Sequence, residues 1–366
     1  MKKFFKKEPV FCISALAAAV SCFFVPPDRG YFAYIDWRTI ALLYCLMVLV
    51  AGLGRAGLFT ALAHALCKRT STSRALAIVL VLLCFFSSMF ITNDVALITF
   101  VPFAVTVLGL TGKLRLTTFV VVMQTVAANL GSMLTPVGNP QNIHLFSHYN
   151  MAPGEFFGAT LPVCAISLPM IIIMCMLFKN EELRVDYGER PGMDIRLLAV
   201  CAVLFALSLA VVFRLTEWYV LLPVVLVVLL LVDRRLLLKA DFMLLATFAF
   251  FYVFVGNIAR IDTVRELLDS VIDGRELLLG AASSQVISNV PAAMLLSGFA
   301  EDGRALLLGV NIGGLGTPIA SLASLISMKL YSRVPGSNGV HFMLSFLLIN
   351  FLFLALLLVF ACLFVV

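Results

Sequence analysis

Long runs of Leu, Val, Ile, Phe and Ala follow one another from Phe11 to Phe364, parted only by short polar breaks. Apolar runs of roughly 18 or more residues call for lipid as the solvent. In lipid every backbone N–H and C=O needs an internal partner, so only helices or a closed barrel can span. The runs are continuous and not alternating ten-residue segments, which selects helices. Composition agrees: 62% of residues are hydrophobic and 13% charged, against about half and a quarter in soluble domains.

The net charge of +6 does not point to nucleic acid, because the basic residues sit in short loops between apolar spans and report orientation. The nine cysteines are scattered through apolar runs without metal-like spacing, and read as small apolar fillers. The leading MKKFFKKEPVFCISALAAAV has the form of a signal peptide, with Ala19-Val20-Ser21-Cys22 as a poor lipoprotein site. The later topology needs this segment as a retained first helix.

Spans are expected at about Phe11–Val25, Trp37–Leu53, Phe156–Phe178, Leu197–Arg214, Trp218–Val232, Phe242–Gly256 and Phe342–Phe364. Two further crossings are broken helices, at about 116–149 and 306–331. Two apolar pairs with a polar tip, about 75–109 and 277–303, read as hairpins that dip into the membrane and return. Leu58–Cys67 and Ile261–Ile272 are amphipathic linkers. With the N-terminus inside and the C-terminus outside, all the lysines (Lys2, Lys3, Lys6, Lys7, Lys68, Lys113, Lys179, Lys239 and Lys329) and most arginines fall on the cytoplasmic side.

An internal repeat organises these pieces. Ser87–Asn93 aligns with Ser283–Asn289 at an offset of 196, and Asn129-Leu130-Gly131 with Thr135-Pro136 aligns with Asn311-Ile312-Gly313 with Thr317-Pro318 at an offset of 182. The first membrane repeat is then 1–178, a linking loop and connecting helix 179–217, and the second repeat 218–366. The connecting helix turns the second repeat over. Inverted repeats of this kind point to alternating access around a site at mid-membrane. The fold expected is an all-α polytopic membrane protein.

Each hairpin tip and each broken helix exposes half-helix ends, whose free N–H groups attract anions while side-chain and unwound backbone oxygens coordinate cations. The candidate substrate- or ion-binding residues are Ser88, Thr92, Asn93 and Asp94 at the first tip, and Ser288 and Asn289 at the second. The broken helices add Asn129, Thr135, Pro136, Gly138, Asn139, Gln141 and Asn142, and Gly314, Gly316, Thr317, Pro318 and Ser321. Sodium would be held among Thr92, Asn93, Asp94, Asn139, Ser288 and Asn289. The competing reading has Thr92, Asn93 and Ser288 merely capping helices. Asp94 is the acid placed deep in the membrane, a proton carrier or sodium ligand by default. His144 and His148, spaced i, i+4, sit near the outer surface without a third metal ligand.

FITNDVALITFVPF (90–103), NLGSMLTPVGNPQN (129–142), ISNVPAAMLLSGF (287–299) and NIGGLGTPIAS (311–321) resemble the ion-transporter superfamily of citrate-transporter-like, arsenite-efflux and divalent-anion/sodium families. The resemblance covers nearly the whole chain. It implies elevator-type transport of a small anionic substrate by a homodimer in the lipid bilayer, with sodium or protons as the coupling ion and no other cofactor. In the divalent-anion relatives a Ser-Asn-Thr signature sits at each tip; here the tips are Thr92-Asn93-Asp94 and Ser288-Asn289-Val290, each without the final Thr, which weakens the case for a dicarboxylate. Asn-Asp tips are similar to those of the arsenite-efflux relatives, and an external ATPase partner stays open on that ground. The chain carries no phosphate-binding loop, GxSxG or HExxH pattern, which disfavours an ATPase or a membrane enzyme. Sodium/proton antiport and a passive channel are the other transport readings.

Overall fold

The computed structural model describes residues 9–365 except 112, 178, 183–191 and 335; for residue 9 and residues 267–270 it describes the backbone only. Lys2, Lys3, Lys6 and Lys7 therefore lie outside the described residues, as do two of the arginines counted on the cytoplasmic side.

Helices account for every regular element among the described residues. In chain order they are α1 (Pro9–Phe24), α2 (Tyr31–Tyr34), α3 (Trp37–Arg55), α4 (Leu58–Cys67), α5 (Ser73–Ser87), α6 (Asn93–Leu110), α7 (Thr117–Ser132), α8 (Pro140–His148) and α9 (Pro153–Met176). The second half adds α10 (Ile195–Val212), α11 (Trp218–Asp233), α12 (Phe242–Ile258), α13 (Asp262–Ile272), α14 (Glu276–Ile287), α15 (Asn289–Leu296), α16 (Gly303–Ile312), α17 (Leu322–Tyr331) and α18 (Gly339–Phe364).

Sequence-coded caps start many of them. Asp36, Asp194, Asp241, Asp302 and Asn338 each accept a hydrogen bond from a backbone N–H in the first turn that follows. Such caps satisfy donors that the helix itself cannot. Six helical segments are long and apolar enough to cross a membrane: Trp37–Arg55, Asn93–Leu110, Leu114–Ser132, Pro153–Met176, Ile195–Val212 and Gly339–Phe364. Three other expected spans, α1, α11 and α12, form shorter apolar helices of 16, 16 and 17 residues. The second arm of the first helix pair is longer than its apolar run: α6 reaches back to Asn93 and on to Leu110, enough to cross by length alone.

The layering is that of a protein dissolved in lipid. On α18 a row of exposed side chains is large and apolar, Leu344, Leu348, Leu352, Leu356, Val359 and Leu363, recurring at the spacing of one helical face. Buried positions carry the polarity instead: Gln124, Thr125, Asn129, Ser132, Asn139, Gln141, Asn142, Asn311 and Ser321 are all at most 2% exposed. Some helices are almost wholly enclosed, among them α7, with fourteen of its sixteen residues buried, and α16, with nine of its ten. α7 packs on α5 and α6, and α16 packs on α14. The halves also interlock: α17 lies on α6 and α7, and α15 lies on α8.

Close approach of α7 to α5 depends on Gly131, where an added Cβ would stand 2.0 Å from the Phe85 carbonyl oxygen and 2.6 Å from Ser88 Oγ. Gly313, at the end of α16, meets α14 in the same way, its Cβ position 2.7 Å from Ala281 Cα.

Candidate functional site

Four helix ends meet where the polar residues are buried. α5 stops at Ser87 and α6 restarts at Asn93; α14 stops at Ile287 and α15 restarts at Asn289. Between α7 and α8 the chain unwinds through a 3-10 turn, Pro136–Gly138, and between α16 and α17 it unwinds from Gly313 to Ser321.

The same bond ties each broken pair to the unwound stretch beside it. Thr135 Oγ1 donates to the Met89 carbonyl, and Thr317 Oγ1 donates to the Gln285 carbonyl at 2.9 Å. The Gln285 side chain then holds the second unwound stretch open. Its Nε2 donates to the Gly313 and Leu315 carbonyls at 2.8 and 2.9 Å, and its Oε1 accepts from Thr317 N at 2.8 Å. Gly316, at φ +98°, lets the chain pass: a Cβ there would lie 2.2 Å from Gln285 Oε1. Pro136 begins the 3-10 turn of the first unwound stretch, Pro318 follows the Thr317 anchor, and Gly138 passes so close to Ser132 that a Cβ would meet its carbonyl oxygen at 2.1 Å.

Carboxamides join these pieces across the two halves. Asn93 Nδ2 donates to Asn129 Oδ1 at 2.8 Å, and Ser321 Oγ donates to the same oxygen at 3.1 Å. Asn129 Nδ2 reaches the Gly314 carbonyl at 3.3 Å. In the companion arrangement Asn311 Nδ2 donates to Asn142 Oδ1 at 2.7 Å, while Asn139 Nδ2 donates to Ser132 Oγ at 2.6 Å and approaches Asn311 Oδ1 at 3.5 Å. Asn142 Nδ2 holds the Ser132 and Thr135 carbonyls at 3.1 and 3.0 Å. An amide in the first half thus meets a hydroxyl in the second, and an amide in the second meets amides in the first.

Not every atom is matched. Gln141 is fully buried, yet neither its Oε1 nor its Nε2 has a hydrogen-bond partner, and Asn139 Oδ1 has none either. Orphaned buried amide atoms are costly, and a site that keeps them has a use for them. They sit at the N-terminus of α8, where Asn139 is the N-cap residue without forming a side-chain cap bond.

The tip residues divide. Thr92 precedes α6 but makes no side-chain cap, and Ser288 precedes α15 without one, so capping does not account for either hydroxyl. Ser288 instead contacts the Ala320 carbonyl at 3.4 Å, beside the Asn289 N–H at 2.9 Å. Ser288 has φ +74° and ψ +153°, a region of backbone space populated almost only by glycine and costing about 1–3 kcal/mol. Ser288→Gly is therefore expected to raise the resting melting temperature while Ser288→Ala leaves the strain in place; equal melting temperatures for the two variants would show that the strain carries no energy. Asn289 is buried, its Nδ2 2.9 Å from where a Gly314 Cβ would stand. Asp94 is half-buried, its N–H donating to Asn93 Oδ1 at 2.9 Å, and its carboxylate forms no ion pair among the described residues. Ser88 stays out of the network: its hydroxyl bonds the Phe85 carbonyl of its own helix, and its place is against Gly131.

Sequence reasoning missed three participants. Ser132 and Asn311 are central to the network, and Asn311 could have been found as the residue 182 positions after Asn129. Gln285 stands out only as a lone amide in an apolar arm. His144, expected near the outer surface, is 2% exposed, with both ring nitrogens hydrogen-bonded, to Tyr252 and Ser297. It forms part of a side-chain bridge between helices.

Broken helices, a buried amide centre and a lipid-facing exterior are those of a polytopic membrane protein. Residues 6–302 match the family described as citrate transporter. Inner membrane protein YbiR of Escherichia coli is 32% identical over 315 residues, covering 84% of each chain. Uncharacterized transporter MJ0456 of Methanocaldococcus jannaschii is 32% identical over 324 residues, 87% of this chain and 86% of its own. Silicon efflux transporter LSI3 of rice is 29% identical over 160 residues, 43% of this chain and 32% of its own. The chain belongs to the citrate transporter family, within the ion-transporter superfamily.

Proposed function

We propose that this integral membrane protein is a secondary active transporter that moves a small anion or oxyacid, carboxylate-, arsenite- or sulfate-like, across the inner membrane. Transport is coupled to Na+ or H+ and proceeds by alternating access of the elevator type. In this reading 1–178 and 218–366 are inverted repeats, α5–α6 and α14–α15 are re-entrant hairpins, and these move with the broken helices against a dimeric scaffold.

One observation carries the proposal. The two unwound stretches and the two tips converge on one amide and hydroxyl cluster whose Gln141 and Asn139 atoms are left unpartnered in the interior. Half-helix N-termini beside such a cluster offer N–H donors to an oxyanion or a neutral hydroxy acid. The uncharged oxygens of Thr92, Asn93, Asn139, Ser288 and Asn289, with the Asp94 carboxylate, are the hard donors a sodium ion takes. Asp94, half-buried and free of an ion pair among the described residues, favours a second reading, sodium/proton antiport without an organic substrate.

A thermal-shift panel on the purified chain separates the two, crossing sodium, lithium and pH with citrate, sulfate, arsenite and silicate. A ligand that binds only the folded state stabilises it by about 2.7 kcal/mol at a hundred times its dissociation constant. Stabilisation by one oxyacid or anion that requires sodium or low pH, and that is lost in Asn93→Ala and Asn289→Ala, is the expected result. A response to sodium and pH alone, abolished by Asp94→Asn, would establish the antiporter in its place.

A further inference from the structure

A cavity of about 380 Å3 opens where the α6–α7 connection meets the stretch that follows α9. Lys113 and Arg115 line it from the connection, Lys179 and Glu181 from that stretch, and Ser73 from the start of α5. Three cations thus face one acid, an excess of two positive charges in the lining. Glu181 is shared: Lys113 pairs with it closely, and Lys179 Nζ lies 4.0 Å away. The hydrogen bond from Lys113 above all, with Lys179 and Arg115 beyond it, holds the Glu181 carboxyl below the usual carboxylate range. The acid is therefore already ionised in this count, and the excess remains.

Main-chain bonds hold one wall in place. Ser73 N donates to the Glu181 carbonyl at 2.8 Å, Glu181 N donates to Ser73 Oγ at 3.0 Å, and Ser73 Oγ donates to the Lys179 carbonyl at 3.2 Å. Three segments long enough to cross a membrane end or begin here: α6 stops at Leu110, α9 stops at Met176, and Leu114–Ser132 starts. Leu177 lines the cavity, and it is exposed, as are Leu110, Leu114 and Met176 beside it in the chain. Exposed apolar side chains next to exposed cations mark the level at which acyl chains give way to headgroups. The amide centre begins at Asn93, about 25 Å away along α6, so this cavity is separate from the site described above.

We propose that this cavity binds the phosphate group of an anionic phosphate ester, with Arg115 and Lys179 as its main contacts. The positive-inside rule accounts for basic residues in such connections, but not for three of them closing on one cavity with a single acid. Basic pockets between transmembrane helices on the cytoplasmic side take phospholipid headgroups, and a guanidinium matches phosphate oxygens two at a time. The volume lies at the low end of the about 300–1,000 Å3 of small-molecule sites, room for an ester and not only a bare ion. The apolar rim favours a lipid as its carrier over a soluble ester. A bound phosphate would bridge the α6–α7 connection to the chain after α9, fastening the end of the first helix pair to one face of the bilayer. The inference stands whatever the protein transports.

The test follows the melting temperature of the purified chain in detergent against added phosphatidylglycerol, phosphatidylcholine and glycerol phosphate. Phosphatidylglycerol should raise it saturably, and the zwitterionic lipid should not. Arg115→Gln and Lys179→Gln should each weaken the apparent affinity about fivefold, the worth of one cation at an anionic membrane surface, and the double variant roughly thirtyfold. Both side chains are exposed, so the melting temperatures without lipid should match wild type. Glu181→Gln, which adds to the positive excess and leaves its main-chain bonds to Ser73 in place, should tighten binding. Lys239→Gln, at an exposed basic position after α11, should change nothing. A saturable response to glycerol phosphate with the same dependence on Arg115 and Lys179 supports the site and makes its ligand soluble. No response to either ester overturns the inference, as does a phosphatidylglycerol response that survives in the double variant or falls equally in Lys239→Gln.

Discussion

Gly131→Ala is expected to be among the most damaging single substitutions in the chain. The added Cβ would stand 2.0 Å from a backbone oxygen of α5 and 2.6 Å from Ser88 Oγ, and neither α5 nor the largely buried α7 can move without disturbing Asn129, two residues earlier. Overpacking a close-packed interior costs about 1–3 kcal/mol and occasionally more; here the obstacle is main chain, so the upper end applies. Gly313→Ala, against Ala281 on α14, should behave alike. Gly158→Ala in α9, where a Cβ meets nothing within 4 Å, is the matched control and should be close to neutral. Melting curves and the yield of monodisperse protein measure all three. Near wild-type stability for Gly131→Ala would mean that α5 and α7 are not held as closely as described.

Asn129→Ala should have the second large effect, and on the site as much as on stability. Its side chain accepts from Asn93 and Ser321 and donates to the Gly314 carbonyl, so truncation strands three buried partners at about 1–3 kcal/mol each before relaxation. Asn129→Asp keeps the acceptor but sets a second, charged oxygen against the Gly314 carbonyl, so it should be no milder than Ala. Since Ser321 shares the same oxygen, the double variant with Ser321→Ala should cost less than the sum, by about 0.5–3 kcal/mol as for residues in one network. Additive losses would indicate that the two halves are not coupled through this bond. Ligand-induced stabilisation should be absent in Asn129→Ala even where the folded protein is recovered.

Much of this architecture was legible in the residues. The Thr92-Asn93-Asp94 and Ser288-Asn289 breaks, and the Thr-Pro unwindings at Thr135 and Thr317, fall where helix physics places them, because proline and a short polar run interrupt apolar helices in identifiable ways. The amphipathic Leu58–Cys67 coincides with α4. Which amides touch was not legible. An offset of 182 relates Asn129 to Asn311, but nothing in it says that Asn129 meets Ser321 and Asn311 meets Asn142, since those contacts depend on how helices from distant parts of the chain cross. His144 misled for a related reason: its spacing to His148 draws attention along one helix, whereas its partners come from α12 and the end of α15. The strain at Ser288 was likewise invisible, because a serine gives no local signal of a glycine-like conformation.

The crossed pairing has a consequence for how the protein is made. Ser321, which completes the coordination of Asn129, lies 192 residues further along the chain. At about 5–20 residues per second, a ribosome needs roughly 10–40 s to supply it. Asn93 can reach Asn129 at once, but the Asn129 donor and the Asn142 acceptor must wait for the Gly314 carbonyl and the Asn311 amide of the second half while their helices are already in the bilayer. The half-made protein, with an unsealed polar face in hydrocarbon, is the form most in need of an insertase or chaperone and most exposed to quality-control proteolysis.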